Sequence, residues 1–149
     1  MVLTKPLHHL ALATAMAAVM AGGLSGCDCG EGSTSSHPEV AQTLKEHPCG
    51  DVDGSQAPGY TPASSPEGHP TLVVAGAFVP GSRESWEVLD TNGQQVNSGV
   101  SPLVSSDNFR IEINLVTPLP PGKYQVHVTN GTGACAGTDI GKSLPFTVE

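Results

Sequence analysis

Two stretches near the C-terminus alternate apolar and polar residues without a break, and that period of two is the strongest constraint on how this chain can fold. In the first, Phe109, Ile111, Ile113 and Leu115 fall on one face, with Arg110, Glu112 and Asn114 on the other. In the second, Tyr124, Val126 and Val128 alternate with Lys123, Gln125, His127 and Thr129. A helix repeats about every 3.6 residues and would scatter these apolar side chains around its circumference. A strand gathers them on one side. Each stretch is therefore expected to be a strand with one buried and one wet face.

The surrounding sequence supplies partners. Thr71 to Phe78 (TLVVAGAF) is an apolar, β-rich run closed by the turn pair Pro80-Gly81. Ser85 to Asp90 puts Trp86 and Val88 on one face and Glu87 and Leu89 on the other. Asn92-Gly93 follows, a hairpin signal because both residues tolerate positive φ, and Gln94 to Ser98 is the return strand. Leu144, Phe146 and Val148 form a last strand, with Pro145 on its opposite face. About six to seven short strands with turn signals between them, and no helical pattern among them, predict an all-β domain over residues 71–149. Its expected architecture is a two-sheet antiparallel β-sandwich with Trp86, Phe109, Tyr124 and Phe146 in the core.

The first 26 residues have a different character. Met1 to His9 is polar with Lys5 as its firm charge, and Leu10 to Leu24 (LALATAMAAVMAGGL) is uncharged and apolar. The run suits a signal peptide and falls short of the roughly 20 apolar residues that a spanning helix needs. It ends in Leu24-Ser25-Gly26-Cys27, which resembles the lipobox of bacterial lipoprotein precursors. That resemblance implies cleavage before Cys27, a diacylglyceryl thioether on its sulfur, and a mature chain lipid-anchored in the cell envelope. The anchor would hold it on the extracytoplasmic side of a bacterial membrane.

Residues 27–70 read as a stalk. Cys29 to Ser36 (CGEGSTSS) is a Gly/Ser-rich tether. A short helix is expected near 37–46: Ser36-His37-Pro38-Glu39 matches a capping box, Val40 and Leu44 share a face, and Pro48 stops it. So short a helix is stable only when docked. Gly50 to Pro70 is rich in Pro, Gly and Ser and reads as linker, with no structure expected. Asp51 and Asp53 echo the start of a calcium loop, but Pro62 stands where the bidentate glutamate belongs, so a solvated turn is expected.

Charge narrows the partners. The formal net charge is −8, and removing residues 1–26 takes away Lys5 but no acid, leaving the mature chain one unit more negative. A surface of that sign repels nucleic acid. The expected partners are the membrane, through lipid on Cys27, and an envelope protein or glycan.

Four cysteines fit an exported protein, in which an oxidising compartment favours at least one bridge. With Cys27 lipidated, Cys29, Cys49 and Cys135 remain, and three thiols cannot all pair internally. Cys49 with Cys135, or Cys29 with Cys49, are the two pairings open; loop-closure entropy separates them by less than about 2 kcal/mol.

Leu119-Pro120-Pro121-Gly122-Lys123-Tyr124-Gln125-Val126-His127-Val128 resembles the L-x-P-G-x-Y-x-V-x-V stretch of fibronectin type III and bacterial Ig-like domains. The resemblance covers roughly the last 80 residues and implies an Ig-like sandwich. It also implies a tyrosine corner, in which the hydroxyl of Tyr124 bonds back to upstream backbone.

The sequence offers little chemistry. No G-x-S-x-G elbow is present, and no Gly-rich loop opens a helix. Glu84 and Glu87 stand three apart on an alternating strand and so face opposite ways, a poor arrangement for an acid pair. His37, His47, His69 and His127 lack partners at metal-ligand spacing, and no metal or cofactor site is expected. The expectation is thus a non-enzymatic, lipid-anchored protein presenting an Ig-like binding, adhesion or structural module. The alternative is periplasmic copper or zinc handling through His47, Cys49 and another thiol. Asn130 to Ser143 (NGTGACAGTDIGKS), a long Gly-rich loop carrying Cys135, is the segment where binding would sit, or else an excursion tacked down by a disulfide.

Overall fold

A computed structural model describes residues 37–149; the lipobox, the lipidation site Cys27, Cys29 and the tether to Ser36 lie outside the described residues. Both alternating stretches are strands. In chain order the elements are α1 (Pro38–Glu46), β1 (Asp51–Val52), β2 (Gly59–Thr61), β3 (Thr71–Ala77), β4 (Glu84–Asp90), β5 (Gln95–Val100), β6 (Arg110–Asn114), β7 (Gly122–Asn130), a 3-10 turn (Gly133–Cys135), β8 (Asp139–Lys142) and β9 (Phe146–Val148).

All pairings are antiparallel. In the first sheet β3 is central, with β6 along one edge and β1 and β2 end to end along the other. The second sheet runs β5-β4-β7, and β8 and β9 share the far edge of β7. Counting each divided edge as one strand gives seven, distributed as in an Ig-like sandwich. The inner faces meet in one core: Leu72 and Val74 of β3, Trp86 and Val88 of β4, Ile111 and Ile113 of β6, Val126 and Val128 of β7.

The β4–β5 hairpin forms where Asn92-Gly93 places it. Gly93 takes φ +76°, and the Asp90 carboxylate accepts from the backbone N–H groups of Asn92 and Gln94 at 2.8 and 2.9 Å. Helix α1 docks on β3 through buried Val40 and ends before Pro48. Its N-cap is His37, which makes no side-chain cap, with Pro38 in the first turn; Ser36, on which the expected capping box relied, lies outside the described residues.

Four expectations are corrected. The segment 50–70 is not structureless: β1 and β2 lie in it, ordered by backbone hydrogen bonds to β3 that need no apolar side chain of their own. Val52 and Tyr60 then add contacts to the core, Tyr60 stacking on Phe146 at 6.3 Å between ring centroids.

Phe109 leaves the core face. Gly76 N–H donates to Phe109 O while Phe78 N–H donates to Asn108 O, so β3 advances two residues as its neighbour advances one. That bulge turns Asn108 inward, fully buried, and Phe109 outward. The Phe109 ring packs on His37 at 4.4 Å, with the Arg110 guanidinium 5.1 Å from its centroid.

The span 130–143 is not one long loop, because β8 pairs with β7 through its second half. Leu144 is correspondingly exposed, lying in the break between β8 and β9 beside Pro145.

Candidate functional site at the loop end of the sandwich

The strand registers carry three connections, 78–83, 101–109 and 131–138, to the same end of the sandwich. Glu84, at the start of β4, pairs with Asn130 at the end of β7; Ser85 pairs with Val100 at the end of β5; Ala75 of β3 pairs with Arg110 at the start of β6. Backbone bonds stitch the connections together. Gly81 N–H donates to Val104 O and Val104 N–H to Ser82 O, both at 2.8 Å, and Gly131 N–H donates to Arg83 O at 2.9 Å.

The N-terminal segment closes on the same end. His37 Nε2 stands 3.0 Å from Asp107 Oδ1, and Cys49 is disulfide-bonded to Cys135 across 86 positions of sequence. Of the two pairings open in the sequence, Cys49 with Cys135 is the one the fold brings together, with Cα atoms 5.3 Å apart. Asn130 buttresses the bridge: its Nδ2 donates to Cys49 O at 2.9 Å, and its Oδ1 accepts from Thr132 N–H at 3.0 Å. Gly133 and Gly137 take φ of +65° and +83°, which lets 131–138 turn tightly enough to present Cys135. The glycine-rich composition of this segment thus serves the staple.

Beneath these loops sits Glu84. It shares the inward face of β4 with Trp86 and Val88 and is fully buried. Ser82 Oγ contacts both Glu84 Oε1 and Val79 O, while Glu84 Oε2 has no hydrogen-bond partner. Burial pushes the Glu84 carboxyl above the usual carboxylate range, against the smaller opposing effects of Ser82 and the Gly131 backbone. Glu87 is on the opposite face of β4, so the two acids are not a pair. Alternation predicted their separation, and Glu84 is the inner one because it is in register with Trp86 and Val88.

His127 lies on the outer face of the second sheet, with Nδ1 3.5 Å from Glu87 Oε2 and Nε2 3.0 Å from Asp139 Oδ1. The cluster draws one residue from each of β4, β7 and β8, so sequence spacing gave no sign of it. Asp139 is held below the usual carboxylate range, chiefly by the Gly141 N–H and then by His127. Among the described residues no three His, Cys, Asp or Glu side chains converge on a metal-sized site. Cys49, on which the copper or zinc alternative relied together with His47, is committed to the disulfide. Asp53 is occupied within its own turn by Ser55 and Gln56, which hold it below the usual range.

An open groove of about 650 Å³ runs between α1 and the outer face of the first sheet, past Glu39, Val40, Asp51, Val73, Ala75 and Arg110. It exists because α1 docks there and the bulge at Phe109 lifts that ring out of the core. No protein-family model, curated protein or solved structure matches the chain. The fold and this end of it define a small, disulfide-stapled, all-β sandwich.

Proposed function

We propose that the chain is a lipid-anchored protein of the bacterial cell envelope that presents its sandwich as a non-enzymatic binding, adhesion or structural module. The observation that carries this reading is the Cys49–Cys135 bridge. A disulfide between an N-terminal segment and a distant loop belongs to an oxidising, extracytoplasmic compartment. It also accounts for the odd cysteine: with Cys27 lipidated and Cys49 joined to Cys135, only Cys29 keeps a thiol. The lipobox at Leu24–Cys27 supports the anchor, and no helix among the described residues is long and apolar enough to cross a membrane. The stapled loop end supports the binding role, since loops held on a rigid sandwich are where such modules place their contacts. An envelope protein or glycan is the partner this reading assigns.

Intact mass of the protein extracted from envelopes of its native host, with and without alkylation under non-reducing conditions, tests the anchor. The expected species begins at Cys27, carries a diacylglyceryl or triacyl adduct and takes up one alkyl group. A lipid-free chain overturns the anchor. Cross-linking in intact envelopes followed by solubilisation tests the module: one stable partner supports it, and none argues against a binding role.

A further inference from the structure

One proton too few stands between three oxygen atoms at the loop end. Ser82 Oγ is 2.6 Å from Val79 O and 2.5 Å from Glu84 Oε1. The Val79 carbonyl can only accept, and the serine hydroxyl carries a single proton. If that proton goes to Val79 O, the contact to Glu84 needs a proton of its own, and the carboxyl is the group that can supply it. Glu84 Oε2 is buried with no partner, an environment that penalises a carboxylate far more than a neutral acid.

No charged neighbour offsets that penalty. Across the β4–β7 pair Glu84 faces neutral Asn130, and His127 of β7 points to the outer face. The Arg83 guanidinium is turned to Ser101 O, at 3.3 Å. In the 101–109 connection Asp107 stands against His37, and residues 131–138 carry no charged side chain. In the 78–83 connection Arg83 is the charged residue.

We propose that Glu84 is a proton-held latch: as a neutral acid it donates to Ser82, Ser82 donates to Val79, and the 78–83 turn stays closed on the core. Losing the proton leaves a buried carboxylate beneath the three connections that draws the serine proton to itself, so that Val79 O keeps only the Ser82 N–H, at 3.1 Å. The backbone bonds that Gly81, Val104 and Gly131 make around it then open more often. The loop end is thereby closed in acid and loosened as pH rises. Because the folded state holds this proton more tightly than the unfolded chain, the stabilisation is fully present below the unfolded value near 4.5 and is lost as pH rises through the higher folded value. This inference does not depend on the lipid anchor or on any partner.

The test is amide hydrogen exchange of the mature chain across about pH 4 to 8, with intrinsic rates corrected, for the wild type and Glu84→Gln. In the wild type, protection at Gly81, Val104 and Gly131 is expected to fall relative to that at Val126 as pH rises, because the folded state holds the Glu84 proton more tightly than the unfolded chain does. In Glu84→Gln, whose neutral amide can still donate to Ser82, protection is expected to stay level. The same pH response in both proteins overturns the latch. Carbon-13 detection of the Glu84 carboxyl in the wild type gives a reading that needs no variant. Titration above the usual carboxylate range supports the proposal, and titration within that range overturns it.

Discussion

The Tyr124 hydroxyl donates to the Pro120 carbonyl across 2.8 Å, clamping the Pro-Pro-Gly turn to the start of β7. The ring also leans on Phe146, 5.9 Å away between centroids, so the residue ties turn, strand and core together. Tyr124→Phe removes the bond and keeps the ring. The lost hydrogen bond is expected to cost about 1 kcal/mol, because the Pro120 carbonyl lies on an exposed residue that water can reach. Urea unfolding of both proteins measures it. An unchanged midpoint would show that the turn alone sets the entry to β7.

Opening the Cys49–Cys135 bridge acts on the unfolded chain as well as the folded one. With a sequence separation of 86, loop-closure entropy puts the effect at roughly 4.5 kcal/mol. Cys49→Ser/Cys135→Ser is therefore expected to melt about 10 °C or more below the wild type, and reductant is expected to lower the wild type similarly. A reductant-insensitive melting temperature would show that docking of Val40 and Asn130 holds the segment without the bridge.

Gly99 faces the only tryptophan of the chain across the β4–β5 pair. A Cβ there would stand 2.7 Å from Trp86 Cζ2, closer than packed atoms come. Gly99→Ala must displace the buried indole, at an expected cost of about 1–3 kcal/mol. The check is unfolding free energy together with tryptophan fluorescence, and a native emission spectrum with native stability would contradict the packing.

Acid is expected to destabilise the fold through a separate set of groups. Asp53 is held below its usual value of 3.8 chiefly by the Ser55 hydroxyl, Asp90 chiefly by the Gln94 N–H, and Asp139 chiefly by the Gly141 N–H. Each takes up a proton less readily folded than unfolded, so its contribution is present above 3.8 and disappears as pH falls through the lower folded value. Unfolding free energy is expected to drop below about pH 4, and Asp90→Asn to flatten part of that slope while its amide oxygen still accepts from the hairpin. Equal acid slopes would assign the loss to Asp53 and Asp139.

The two alternating stretches, the Asn92-Gly93 hairpin and the short helix before Pro48 were legible in the amino-acid order. Each depends on residues close together in the chain: a period of two, a turn that tolerates positive φ, a proline stop. The tyrosine corner was legible for the same reason, since Tyr124 and Pro120 are four positions apart. The partner of Cys49, the outward turn of Phe109, strands β1 and β2, and the cluster around His127 depended on the packing of distant segments. β1 and β2 exist because β3 offers an unpaired edge, and Phe109 is outside because a bulge puts Asn108 in its place.

Glu84 joins the two levels. Alternation along β4 already put it on the face of Trp86 and Val88, so its side was a local fact. Its isolation from water and from other charges was decided only when three loops and a disulfide closed over that end. A sequence pattern records which way a side chain points, whereas burial and charge depend on what the rest of the chain brings to meet it.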